Sequence, residues 1–99
     1  MANTIEIIAQ HLSGNDPEGF DVEAWTAHLA AAYRAVALAH YPNAVVSVEI
    51  DVQDACGDTR PVTVTLTVDG DDEYNDDLRR EIEVTENYEW ERHSDEFYI

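Results

Sequence analysis

Acidic side chains are the groups in this chain whose type and spacing could do chemistry. Asp69, Asp71, Glu73, Asn75 and Asp77 recur at every second position, the rhythm of oxygen ligands in a calcium loop. The pattern breaks where such a loop discriminates. Counting from Asp69, the sixth residue is Tyr74 where a turn needs Gly, and the twelfth is Arg80 where a bidentate Glu should close the shell. No specific metal site is expected, only loose attraction of divalent ions at high concentration, and no cofactor.

A second spacing is more suggestive. Glu49 and Asp51, Glu81 and Glu83, and Glu89 and Glu91 are each two residues apart. On extended backbone such pairs project to one face about 6.6–6.8 Å apart, so each pair extends a row of negative charge. That pitch is comparable with phosphates along a polynucleotide, whose axial rise is about 3.4 Å per nucleotide and whose backbone path is longer. The competing explanation is a wet sheet face that uses Glu as an ordinary polar residue. Thr63, Thr65 and Thr67 show that neutral side chains are used at equivalent positions, which weakens it.

Catalytic patterns are missing. His11, His28, His40 and His93 lack metal-site spacing, and no phosphate loop, nucleophile elbow or Cys-His signature occurs. His28 and His40 read as ordinary packing or surface residues on or beside a long helix. Paired carboxylates are everywhere, but acid catalysis needs two carboxyls in contrasting environments, which a uniformly solvated surface does not provide. The lone Cys56 can form no internal disulfide; it reads as a loop thiol in a reducing compartment.

The chain has 99 residues, 22 Asp plus Glu, five Arg and no Lys, for a formal net charge of −17. Solubility of a small domain needs a magnitude of only about 2–8, and the excess works against compaction through self-repulsion. The charge is segregated: residues 1–48 carry a net −4 and residues 49–99 a net −13. A salt-adapted coat should be even, so the asymmetry favours a dedicated face for a cationic partner.

The elements that must position these acids follow from periodicity. Asn3 and Glu6 resemble a capping box, and Ile5, Ile8 and Leu12 share a helical face, so a short first helix is expected, stopping at Gly14. Asp21 caps a second, in which Val22, Trp25, Leu29, Tyr33 and Val36 recur at intervals of three and four among eight alanines, until Tyr41-Pro42 ends it.

Val46, Val48, Ile50 and Val52 then alternate with polar residues, as do Val62, Val64, Leu66 and Val68. They predict two half-buried strands over 44–52 and 61–68, paired as an open-ended antiparallel hairpin. Residues 69–77 hold six acids in nine positions, expected as a solvated loop or a fraying helix start. Leu78 and Ile82 fit a helical face, but Ile82, Val84, Tyr88 and Trp90 fit period 2 and predict a third strand over about 80–91. The tail Glu96-Phe97-Tyr98-Ile99 is too apolar for simple disorder and is expected to dock on the sheet edge. The result is a single α+β domain over 1–99: two N-terminal helices packed on one face of a three- to four-stranded antiparallel sheet, with the other sheet face wet.

By size, charge, Lys-poor and Ala-rich composition, and the carboxylate rows of residues 49–96, the chain resembles the acidic nucleic-acid-mimic inhibitors of phages and mobile elements. These include anti-CRISPR and antirestriction proteins, and the likeness is greatest to type I anti-CRISPR proteins. The resemblance implies an inhibitor of a basic nucleic-acid-binding protein or complex, a type I CRISPR surveillance complex being favoured, with no catalysis and no direct nucleic-acid or membrane contact.

The expected contact residues are Glu49, Asp51, Asp69, Asp71, Asp72, Glu73, Asp76, Asp77, Glu81, Glu83, Glu89, Glu91, Asp95 and Glu96. Tyr74, Tyr88, Trp90, Phe97 and Tyr98 interleave them as possible anchors. Two alternatives stand: an immunity protein against a basic nuclease toxin, and an unspecialised domain of a salt-adapted cell. A cytoplasmic location is expected, because no signal-peptide pattern or long apolar run is present. Monomer and homodimer both remain open.

Overall fold

The computed structural model describes residues 3–16, 18–57, 62–68, 71–74 and 76–98, with backbone alone at 15, 68 and 71–74. Its first element is a strand, β1 (Thr4–Leu12), so the expected N-terminal helix with its Asn3–Glu6 capping box is corrected. Two periods compete here: Ile5, Ile8 and Leu12 fit a helix, whereas Ile5, Ile7 and Ala9 fit a strand. The β-branched run Thr4, Ile5, Ile7, Ile8 decides the contest, since such side chains lose rotamer freedom in a helix and pack well on a pleated surface. Ile5, Ile7 and Ala9 are accordingly buried, and Ile8, expected in the core, is 38% exposed on the opposite face.

The long helix α1 (Val22–His40) forms as its pattern predicts. Asp21 Oδ1 accepts the Ala24 N–H at 3.1 Å, and Trp25, Leu29, Tyr33 and Ala37 are buried. α1 returns the chain to β2 (Val45–Gln53), which lies parallel to β1 in register from Thr4↔Val45 to Leu12↔Gln53. β3 (Thr63–Val68) pairs antiparallel with the other side of β1, and β4 (Asp71–Tyr74) pairs antiparallel with β3.

The sheet order is therefore β2-β1-β3-β4, and the sheet is mixed. The expected hairpin between the two valine strands is not formed: β1 lies between them. The exit from β2 is pinned to the turn after β1, where the Gly14 N–H donates to the Ala55 carbonyl at 2.8 Å. Gly14 thus ends a strand rather than a helix, and only a glycine fits, because a Cβ there would stand 2.4 Å from the Ala55 oxygen.

Residues 76–93 form a helix, α2 (Asp76–His93), in place of the expected third strand. Leu78 and Ile82, one turn apart, are buried, while Val84, which a strand would have placed beside Ile82, is 67% exposed. Local chemistry favours this outcome. Asp76 and Asp77 occupy the first turn, Arg92 and His93 the last, matching the helix dipole, and Arg79 Nη1 pairs with Glu83 Oε1 at 2.9 Å at i,i+4 spacing.

The fold is thus α+β, with one helix following the first strand and the other following the last. Both pack on a single sheet face through Ile5, Ile7, Val64, Leu66, Trp25, Leu29, Tyr33, Leu78 and Ile82. Each such large side chain contributes about 1.5–3 kcal/mol on burial. The C-terminal segment docks on the entry to α1 rather than on a sheet edge. The Asp21 N–H donates to the Phe97 carbonyl at 2.6 Å, Tyr98 bridges Phe20, and the Phe97 ring lies 5.2 Å from Trp25. Among the described residues no helix is long and apolar enough to cross a membrane.

Candidate acidic interface

Side-chain alternation assigns the sheet two faces. Odd residues of β1 point to the helices, so Thr4, Glu6, Ile8 and Gln10 point away; the register puts Val45, Ser47, Glu49 and Asp51 of β2 and Thr63, Thr65 and Thr67 of β3 on the same open face. Glu6, Glu49 and Asp51 are all exposed there. Gln53 Nε2 donates to both Asp51 carboxylate oxygens at 2.8 and 2.9 Å, holding that group in place. Among the described residues, every Arg is on a helix and His11 is on the inward side of β1. Among the residues whose side chains are described, the open face therefore carries three carboxylates and no cation.

The expected contacts on α2 and on the Ser94–Phe97 turn do not join this face, so the acids of residues 76–96 form a second layer. On a helix, residues two apart point about 200° from one another, and the Glu81–Glu83 and Glu89–Glu91 pairs are split. Glu81 meets His40, and Glu83 meets Arg79. Glu89 turns inward: its side chain is only 16% exposed and its Oε2 lies 2.9 Å from His28 Nε2 and 3.5 Å from His93 Nε2. Glu91 is exposed.

Asp76 and Asp77 are exposed in the first turn of α2, with Asp76 3.5 Å from Arg79 Nε, and Asp95 and Glu96 are exposed on the Ser94–Phe97 turn. Asp69 and Asn75 lie outside the described residues. Asp71, Asp72 and Glu73 are register partners of Val68, Thr67 and Leu66. The stretch expected as a solvated loop or a fraying helix start contains strand β4 and the start of α2.

Two groups of functional interest escaped the spacing patterns. All four histidines meet carboxylates: His11 Nε2 lies 2.7 Å from Asp16 Oδ2, His28 and His40 tie α1 to α2, and His93 reaches Glu96 at 2.5 Å. Only the local His93 pairs, at i−4 and i+3, were visible in the sequence. The other group is Tyr33–Glu86, whose hydroxyl and carboxylate oxygens are 3.5 Å apart. Burial raises the Glu86 carboxyl above the usual range, with His11 and the Tyr33 hydrogen bond opposing and Glu83 adding to it. Burial, then the charge of Glu86 and its hydrogen bond, raises the Tyr33 phenol.

Of the expected aromatic anchors, Tyr88, Trp90 and Tyr98 are exposed and Phe97 is half-buried, while the Arg92 guanidinium lies 5.1 Å over the Tyr88 ring. Among the described residues no group of three or more His, Cys, Asp or Glu could hold a metal ion, and Cys56 is exposed. No family model, curated protein or solved structure matches the chain.

Proposed function

We propose that this chain is an inhibitory binding protein that occupies the cationic nucleic-acid surface of a protein or complex in place of the polynucleotide. The observation that carries this is the open sheet face, where Glu6, Glu49 and Asp51 stand exposed with no cation interleaved among the described residues. Such a surface meets Lys and Arg without first breaking its own ion pairs, and its field accelerates encounter. The α2 layer is less suited, because Arg79, His28 and His40 already engage Glu83, Glu89 and Glu81.

Charge density supports the same function. Seventeen net charges along a 45 Å molecule amount to about one per 2.6 Å, between the roughly 1.7 Å of duplex DNA and 3.4 Å of one strand. A nucleic-acid-binding complex of the type I CRISPR kind is the favoured target, and the protein acts by occupancy without a reaction of its own.

The test is capture of partners from host lysate on immobilised protein, followed by elution with graded salt and, separately, with double-stranded DNA. A nucleic-acid-binding partner displaced by both is expected. Capture of no basic protein, together with a fold that forms only in molar salt, contradicts the proposal in favour of a salt-adapted coat. Capture of a nuclease toxin points to an immunity protein.

A further inference from the structure

β2 ends the sheet, and its outer edge follows from one hydrogen bond. The Val45 N–H donates to the Asn3 carbonyl at 2.9 Å; in a parallel ladder the odd residues of β2 therefore face β1, and the N–H and C=O of Val46, Val48, Ile50 and Val52 point outward. Among the described residues nothing pairs with them. The edge is nine residues long, in unbroken register, with no Pro, Lys or bulge to blunt it, and such an edge is a template for another strand.

We propose that the outer edge of β2 takes up an extended segment of a partner in which basic and apolar residues alternate. The backbone supplies the hydrogen bonds, as in other strand additions, and the two flanks of β2 supply the selectivity. On the open side the incoming residues lie beside Glu49 and Asp51; on the helix side they lie beside the half-buried Val48 and Ile50 and the exposed Val52. Basic residues match the first row and apolar residues the second. A second copy of this chain fits poorly: full antiparallel overlap of two β2 strands sets Glu49 opposite Glu49, and like charges directly opposite are unfavourable.

This inference rests on unpaired backbone rather than on net charge, so it can fail while the electrostatic function stands. The probe is a synthetic peptide alternating Lys and Val, compared with a peptide of the same composition in two blocks, all Lys then all Val, and with an alternating peptide N-methylated on every second amide. The alternating peptide should bind about tenfold or more tightly than either control. It should also slow amide exchange at Val46, Val48, Ile50 and Val52, leaving Val45 and Ser47, already bonded to β1, unchanged. Equal affinity for the three peptides, or no protection at the four outward amides, overturns the proposal.

Discussion

His28 Nε2 stands 2.9 Å from Glu89 Oε2, joining the middle of α1 to the last third of α2. The imidazole also stacks on Trp25, with ring centroids 5.8 Å apart, so the contact lies over the aromatic end of the core. Glu89 thereby belongs to the fold and is withdrawn from the surface that meets a partner. His28→Ala should destabilise the protein by about 1 kcal/mol, the order expected for a partly exposed hydrogen bond to a charged group. Urea unfolding of His28→Ala, Glu89→Gln and the double variant checks it: the pair should cost less together than the sum of the single changes.

Glu86 predicts an unusual pH response. Its carboxyl is raised on folding, chiefly by burial, so the folded state favours the protonated form. That stabilising contribution is fully present below the unfolded-state value of about 4.3 and is lost as pH rises through the folded-state value. At pH 7 Glu86→Gln should therefore be more stable than the parent, with Tyr33 keeping an acceptor, and the advantage should shrink toward pH 4. Urea midpoints at the two pH values test this, and an advantage that grows on acidification contradicts it.

The assignment of residues 76–93 to a helix separates two neighbouring apolar residues. Ile82→Ala should cost about 2–5 kcal/mol, as a fully buried truncation does, whereas Val84→Ala should change stability by about 0.5 kcal/mol or less. On a strand both would face the core and both would cost stability, so the ratio of the two losses reports the backbone conformation directly.

Gly14→Ala sets a Cβ against the backbone of Ala55, 2.4 Å from its oxygen and 2.5 Å from its carbon. Neither atom is at the end of a flexible side chain, so the β1–β2 junction must shift. The expected loss is about 1–3 kcal/mol, read as a lower thermal midpoint with the far-UV spectrum of the fold retained. An unchanged midpoint would mean that the Gly14–Ala55 approach is not a feature of the folded state.

Much of this architecture was legible in the residues. α1 was, because Trp25, Leu29 and Tyr33 recur at helical spacing between an Asp21 cap and Pro42, so periodicity, capping and termination agree. β2 and β3 were, because their valines alternate strictly. β1 and α2 were exchanged, since each segment satisfies both periods: Ile5 pairs with Ile7 or with Ile8, and Ile82 with Val84 or with Leu78. Tertiary burial chooses between them.

The site followed its elements. Glu49 and Asp51 were located by strand spacing and do share an exposed face, whereas Glu81 with Glu83 and Glu89 with Glu91 were grouped by a pitch that a helix does not have. The place of β1 between β2 and β3 is a long-range pairing that no local pattern encodes. The contacts of His28 and His40 with α2 depend on the same packing.

The most direct test of the central claim compares retention of the captured nucleic-acid-binding partner by the parent protein, by Glu49→Lys/Asp51→Lys and by Asp95→Lys/Glu96→Lys, all immobilised equally and eluted with graded salt. The two variants change net charge identically but reverse it on different surfaces. Loss of the partner at much lower salt in the sheet-face variant, with retention by the tail variant close to the parent, is the predicted result. Equal weakening of both variants, or a sheet-face variant that holds its partner as the parent does, would contradict an interface on the open sheet face.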